Sequence, residues 1–184
     1  MYTLSNIDDF NRFFSAQTLH PHVAVAELAR ADLSLFDNKV YDMYALILME
    51  EIFGELTRDG KVMPYTKGSL VTIRPGQSIE MRMDYKTKPK GWMLVFKQEV
   101  LERTGLGRDF YMFTYFNSDQ LEAIGLTNME YSVIKNCFAN LYAELHTPQD
   151  HLSGQMTRLG IGTLLSYVKR YFEKQHLAST QKGD

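Results

Sequence analysis

The chain has 184 residues, 45% of them hydrophobic and 23% charged, with a formal net charge of -2. That length supports one domain with a core of its own, and the balanced charge excludes a basic field able to grip nucleic acid unaided. The single cysteine, Cys137, excludes an internal disulfide and fits a reducing compartment. The opening MYTLSNIDDF lacks an apolar signal core and no run reaches membrane-span length, so the expected location is the cytoplasm, with no membrane partner.

Residues 1–19 read as an N-terminal arm, with Asp8-Asp9-Phe10 and Phe13-Phe14 in a helical turn or folded over the rest. From 20 to 118 the rhythm is that of short strands. Residues 22–30 (HVAVAELAR) alternate as a strand whose two faces each carry a charge, Glu27 or Arg30. Asp37-Asn38 makes a turn, and residues 41–49 are apolar on both faces, as in a strand with sheet inside and helices outside.

Asp59-Gly60 predicts a tight hairpin between residues 55–58 and 61–65. Strands at 70–73 and 78–83 flank Pro75-Gly76, and Ile79, Met81 and Met83 share one face of the second. Residues 91–96 are another strand, 98–101 a helical turn, and the aromatic run 110–116 a final strand. Turn signals every seven to nine residues between short apolar runs predict a small antiparallel barrel or sandwich.

The period then changes. Thr127-Asn128-Met129-Glu130 is a capping box, followed by helically spaced apolar residues from Met129 to Leu145. Thr147-Pro148 ends that helix, and a second is expected over 153–175. Its apolar residues form two lines: Met156, Leu159, Thr163 and Tyr167, and Ile161, Leu164, Leu165, Val168 and Phe172. Two apolar faces need two covers, and one is expected to be a second copy of the chain; Met156, Leu159, Thr163, Leu164, Tyr167, Val168 and Tyr171 are the candidate dimer residues. Residues 177–184 lose periodicity and read as a tail or the start of a linker.

The run KGSLVTIRPGQ, then GWMLVFKQEVL, FYMFTYF and SYVKRYFEKQ, in this order and spacing, resembles the N-terminal cupin domain of AraC-family transcription regulators. The resemblance covers residues 20–175. It implies a fold that is mainly β with C-terminal α: a cupin-like antiparallel β-barrel over 20–118, then two antiparallel helices for dimerisation over 119–176. It implies a small-molecule effector in the barrel, a homodimer, and promoter DNA bound only through a C-terminal helix-turn-helix domain not in this chain. The chain stops at Asp184, where a linker to that domain is expected.

Candidate effector contacts are aromatic and apolar groups with a few polar anchors: Trp92, Tyr44, Tyr65, Met81, Met83, Phe96, Phe113 and Tyr115, with Arg30, Glu27 and Arg74 as anchors. His20, His22 and Glu27 match part of a metal-cupin spacing, but Pro21 interrupts their alternation and no histidine follows Pro75-Gly76, so no metal or cofactor is expected. No nucleophile or phosphate loop stands out, and Gly105-Leu106-Gly107 lacks a third glycine. The expectation is a non-enzymatic sensor. A metal-dependent cupin enzyme and a stand-alone dimeric small-molecule-binding protein are the alternatives.

Overall fold

The computed structural model describes residues 2–84, 86–118 and 122–180. Nine strands are β1 (Tyr2–Leu4), β2 (Val23–Glu27), β3 (Lys39–Tyr41), β4 (Tyr44–Met49), β5 (Gly54–Arg58), β6 (Lys61–Val62), β7 (Ser69–Ile73), β8 (Ser78–Met83) and β9 (Gly91–Phe96). The helices are α1 (Ile7–Arg12), α2 (Gly105–Arg108), α3 (Asn128–His146) and α4 (Ser153–Thr180).

The strands form two sheets, ordered β1-β3-β8-β5-β6 and β2-β9-β4-β7. Neighbours are antiparallel except the parallel β1–β3 pair. Among the described strands no hydrogen-bonded pair joins the sheets, so the expected closed barrel is instead an open pair of sheets sharing one core. The split falls at Asp42-Met43, which divides the expected strand 41–49 between β3 in one sheet and β4 in the other.

Alternation along the four-stranded sheet sends its side chains into two cores. Ala45, Ile47, Met93 and Val95 point toward the other sheet, where they meet Leu56, Ile79, Met81 and the arm residues Leu4, Ile7 and Phe10. Leu46, Leu48, Leu94 and Phe96 point the other way, onto Ile134, Phe138 and Leu141 of α3 and Leu164, Leu165 and Val168 of α4. Full burial of one such side chain contributes roughly 1.5–3 kcal/mol, so this sheet is stabilised from both sides.

The tight hairpin forms at the expected place: β5 and β6 pair Arg58 with Lys61 across Asp59 and Gly60, whose φ angles are 50° and 76°. The second strand is only two residues long, shorter than the expected 61–65. Glu130 N–H donates to Thr127 Oγ1 at 3.3 Å and Thr127 N–H to Glu130 Oε2 at 2.8 Å, the reciprocal capping box.

Two expectations are corrected. The run 110–116 is no strand but two 3-10 turns, Phe110–Met112 and Thr114–Phe116. Phe110, Phe113, Tyr115 and Phe116 are buried while Tyr111, Met112 and Thr114 are exposed, so burial does not alternate as a strand would require. Residues 177–180, read as tail, continue α4. Its last turns are fastened by Lys174 Nζ to Glu130 Oε1 at 2.7 Å and by Gly125 N–H donating to Gln175 Oε1 at 2.9 Å. The rest of that tail, 181–184, and residue 119, where the helical segment was expected to begin, lie outside the described residues.

Gly91 tests the packing of β4 on β9. Its φ is 145°, and an added Cβ would sit 1.9 Å from the Leu48 carbonyl oxygen. Gly91→Ala is expected to lower unfolding free energy by about 3 kcal/mol in urea titration.

Glu130 gives a pH test. Burial alone would raise its carboxyl pKa, but the Lys174 ammonium and the Thr127 donors outweigh burial and hold it below the usual carboxylate range. A lowered folded-state pKa gives stability that is present above the ordinary value and lost as pH falls through the folded one. Glu130→Gln is therefore expected to be less stable at neutral pH and to show a shallower loss of thermal midpoint on acidification.

Candidate functional site: a charged cleft at the rim of the sheets

Tyr44 opens β4 and pairs in register with Phe96, the end of β9. At this rim a cleft of about 840 Å³ opens, walled on the sheet side by Asp42, Tyr44 and Pro75. The other wall is the segment that leaves β9: Lys97, a 3-10 turn Gln98–Leu101, then Glu102, Arg103, Thr104 and α2.

This segment is held firmly. Lys97 N–H donates to His22 O at 2.9 Å and Val100 N–H to Lys97 O at 3.1 Å. Val100 and Leu101 are buried in the helix-side core and anchor the turn. Thr104 Oγ1 donates to Leu101 O at 2.6 Å and accepts from Gly107 N–H at 3.0 Å. Arg103 sits at φ 63°, in the left-handed region that costs a non-glycine residue about 1 kcal/mol or more. Gly107 is required by contact, since a Cβ there would lie 2.1 Å from Leu101 O.

The Tyr44 ring packs against Phe96 at 5.4 Å and against Phe110 and Phe116 at 4.8 Å each, and the half-buried residue also borders the cleft. Burial raises the pKa of its hydroxyl, and the positive charge of Arg74 opposes that rise. Lys97, Arg103 and Arg108 border the cleft together with Asp42, Glu99 and Glu102. None of the six enters an ion pair among the described residues.

Of the eleven residues expected from sequence to contact a ligand, only Tyr44 borders this cleft, with exposed Arg74 close enough to act on its hydroxyl. Trp92, Phe96, Phe113 and Tyr115 lie in the helix-side core, not between the sheets. Trp92 meets Tyr142 of α3 at 5.6 Å, and the Tyr115 hydroxyl donates to Leu165 O at 3.1 Å. Tyr65, Met81 and Met83 do pack between the sheets, where the Tyr65 hydroxyl donates to Gly54 O at 2.8 Å and accepts from Phe53 N–H at 3.2 Å. Glu27 and Arg30 pair at 3.7 Å beside a slot of about 70 Å³ along the free edge of β2. The structure therefore does not gather the eleven into one site.

The His20 and His22 rings stand 6.1 Å apart, and His20 Nδ1 accepts the His22 N–H at 3.1 Å. The dimer candidates divide in the same manner. Leu164, Val168 and Tyr171 are buried within the chain and Tyr167 is half-buried, while Met156, Leu159 and Thr163 are exposed. Leu159, 55% exposed, is a ridge between two grooves of about 330 and 270 Å³.

The cleft's own loop was missed from sequence. Its signal was the density of unlike charges around Thr104-Gly105 in KQEVLERTGLGRD, directly after an apolar strand. No protein-family model matches the chain, and no curated protein matches it significantly. No helix among the described residues is long and apolar enough to cross a membrane.

Because Trp92 packs on α3 and not on the cleft, Trp92→Ala is expected to cost stability, about 2 kcal/mol for a half-buried ring. Chemical denaturation measures this, and the amide spectrum of residues 97–109 is expected to stay unchanged.

Proposed function

We propose that the chain is the effector-sensing and dimerising domain of an AraC-family transcription regulator, with a cupin-like sandwich that opens at its rim. Promoter DNA would be bound by a helix-turn-helix domain outside this chain. The supporting observation is the architecture in order: two facing sheets, then an antiparallel helix pair on which Met156 and Leu159 stay exposed. Residue 130 meets 174, and Leu141 meets Gly160, so α3 and α4 run in opposite directions.

The inner line of α4 is covered by the chain's own sheet and helix. The outer line, Met156, Leu159 and Thr163, is exposed and has no cover among the described residues. A second copy supplies one: in a two-fold pair the Leu159 ridge of each copy enters a groove beside the other's ridge. Thr163 is small enough to let the two helices approach.

The cleft takes the effector, replacing the interior position expected from sequence, because the space between the sheets is filled by packed side chains. A sensor needs different affinity for two arrangements and no bond-breaking chemistry. Effector binding at the rim biases the placement of α4 through the sheet it rests on.

Leu159→Asp is expected to weaken self-association at least about tenfold, or ~1.4 kcal/mol, in sedimentation equilibrium, while leaving the fold intact. Leu164→Asp is expected to unfold the chain instead, since that residue is 0% exposed. A Leu159→Asp protein that remains a dimer of unchanged affinity would remove this face from the interface.

A further inference from the structure

Taking the rim cleft as the effector site, as proposed above, its charges define the class of ligand. Three cations, Lys97, Arg103 and Arg108, and three carboxylates, Asp42, Glu99 and Glu102, border one concavity. They leave one another unpaired, although Glu99 and Arg103 are only four residues apart and both border the cleft. The loop that carries five of the six is pinned by the Thr104 hydroxyl and by buried Val100 and Leu101, so these side chains project from a fixed frame.

Each simple ligand class leaves part of this arrangement unanswered. An anion meets three cations and as many carboxylates, and a cation meets the same balance reversed. A neutral apolar ligand would strip water from charges and give nothing back. A molecule with both charges, held apart, satisfies both sets through charge-assisted hydrogen bonds. At about 840 Å³ the cleft lies in the upper part of the range for small-molecule sites, roughly 300–1,000 Å³, which suits separated charges better than a single compact group.

We propose that the cleft binds a zwitterion with separated charges, of the short-peptide class. The two loop guanidiniums, Arg103 and Arg108, take its carboxylate, and the sheet-side Asp42 takes its ammonium. Tyr44 offers the edge of its ring and its hydroxyl to the uncharged middle.

The test uses the whole chain, labelled for amide NMR and titrated with Ala-Ala-Ala, its N-acetyl form and its C-terminal amide. Inorganic phosphate and putrescine serve as single-sign controls. Ala-Ala-Ala is expected to move the amides of residues 97–109 and of Tyr44, with each blocked form binding about tenfold more weakly, the usual effect of losing one charge-assisted contact. The double variant Arg103→Gln, Arg108→Gln is expected to weaken Ala-Ala-Ala similarly but to leave the already amidated peptide unaffected, since both changes remove the same contact. Asp42→Asn is expected to do the same with respect to the N-acetyl form.

Equal binding of the blocked peptides would overturn the proposal. So would a phosphate or putrescine response at the same amides as strong as that of Ala-Ala-Ala; the cleft would then stand as a ligand site of another class. No response to any of the five probes would overturn the zwitterion and remove the cleft as effector site, leaving the dimer reading to its own test at Leu159.

Discussion

The structure depends on the burial of β4 and β9 on both faces. These are the two inner strands of one sheet, paired along six residues from Tyr44 with Phe96 to Met49 with Gly91. One face closes a core with the second sheet and the arm, and the other a core with α3 and α4. With alternate residues committed to different cores, slipping the register by one residue would exchange the two sets. The pair therefore acts as a fixed bar through the middle of the molecule.

The two ends of that bar carry different things. At the Tyr44 and Phe96 end lies the cleft. At the other end Glu50, buried, meets Lys135 Nζ of α3 at 2.9 Å. One turn earlier on α3, Glu130 meets Lys174 of α4. A buried carboxylate without its partner would carry an uncompensated desolvation cost, so Glu50 ties α3 to the sheet in one place. Sheet, α3 and the last turns of α4 are joined by consecutive charged contacts, and in the reading proposed above these link the sheet under the rim to the helix that carries Leu159. In that reading the ligand would pass on only a preference between arrangements, bounded by its different affinity for each.

Much of this frame was legible in the sequence because its signals are local. Asp59-Gly60 specified its hairpin, Thr127 and Glu130 their cap, and the doubly apolar run around Leu46 its place between two layers. The aromatic run was misread because Phe110, Phe113 and Phe116 repeat every three residues, while the smaller Tyr111, Phe113, Tyr115 alternation suggests a strand. The backbone decides between them: Phe113 N–H bonds back to Phe110 O at 3.1 Å and Phe116 N–H to Phe113 O at 3.2 Å, the three-residue bonds of 3-10 turns. The end of α4 was misread because its anchors, Glu130 and Gly125, lie 44 and 50 residues away from Lys174 and Gln175. The aromatic pocket candidates failed to gather for a similar reason: Trp92 and Phe96 share a strand face, and only the position of the helices shows that this face is the covered one. The cleft was hidden because its residues come from three separate stretches and are charged, a composition that sequence alone cannot distinguish from solvated surface.

The most direct measurement is native mass spectrometry of the chain purified under mild conditions from its own cells, beside the Arg103→Gln, Arg108→Gln protein. The account expects a dimer that carries an added small-molecule mass, released on denaturation and absent from the double variant. The bare mass of the chain in both proteins, or an adduct that survives loss of both arginines, would contradict it.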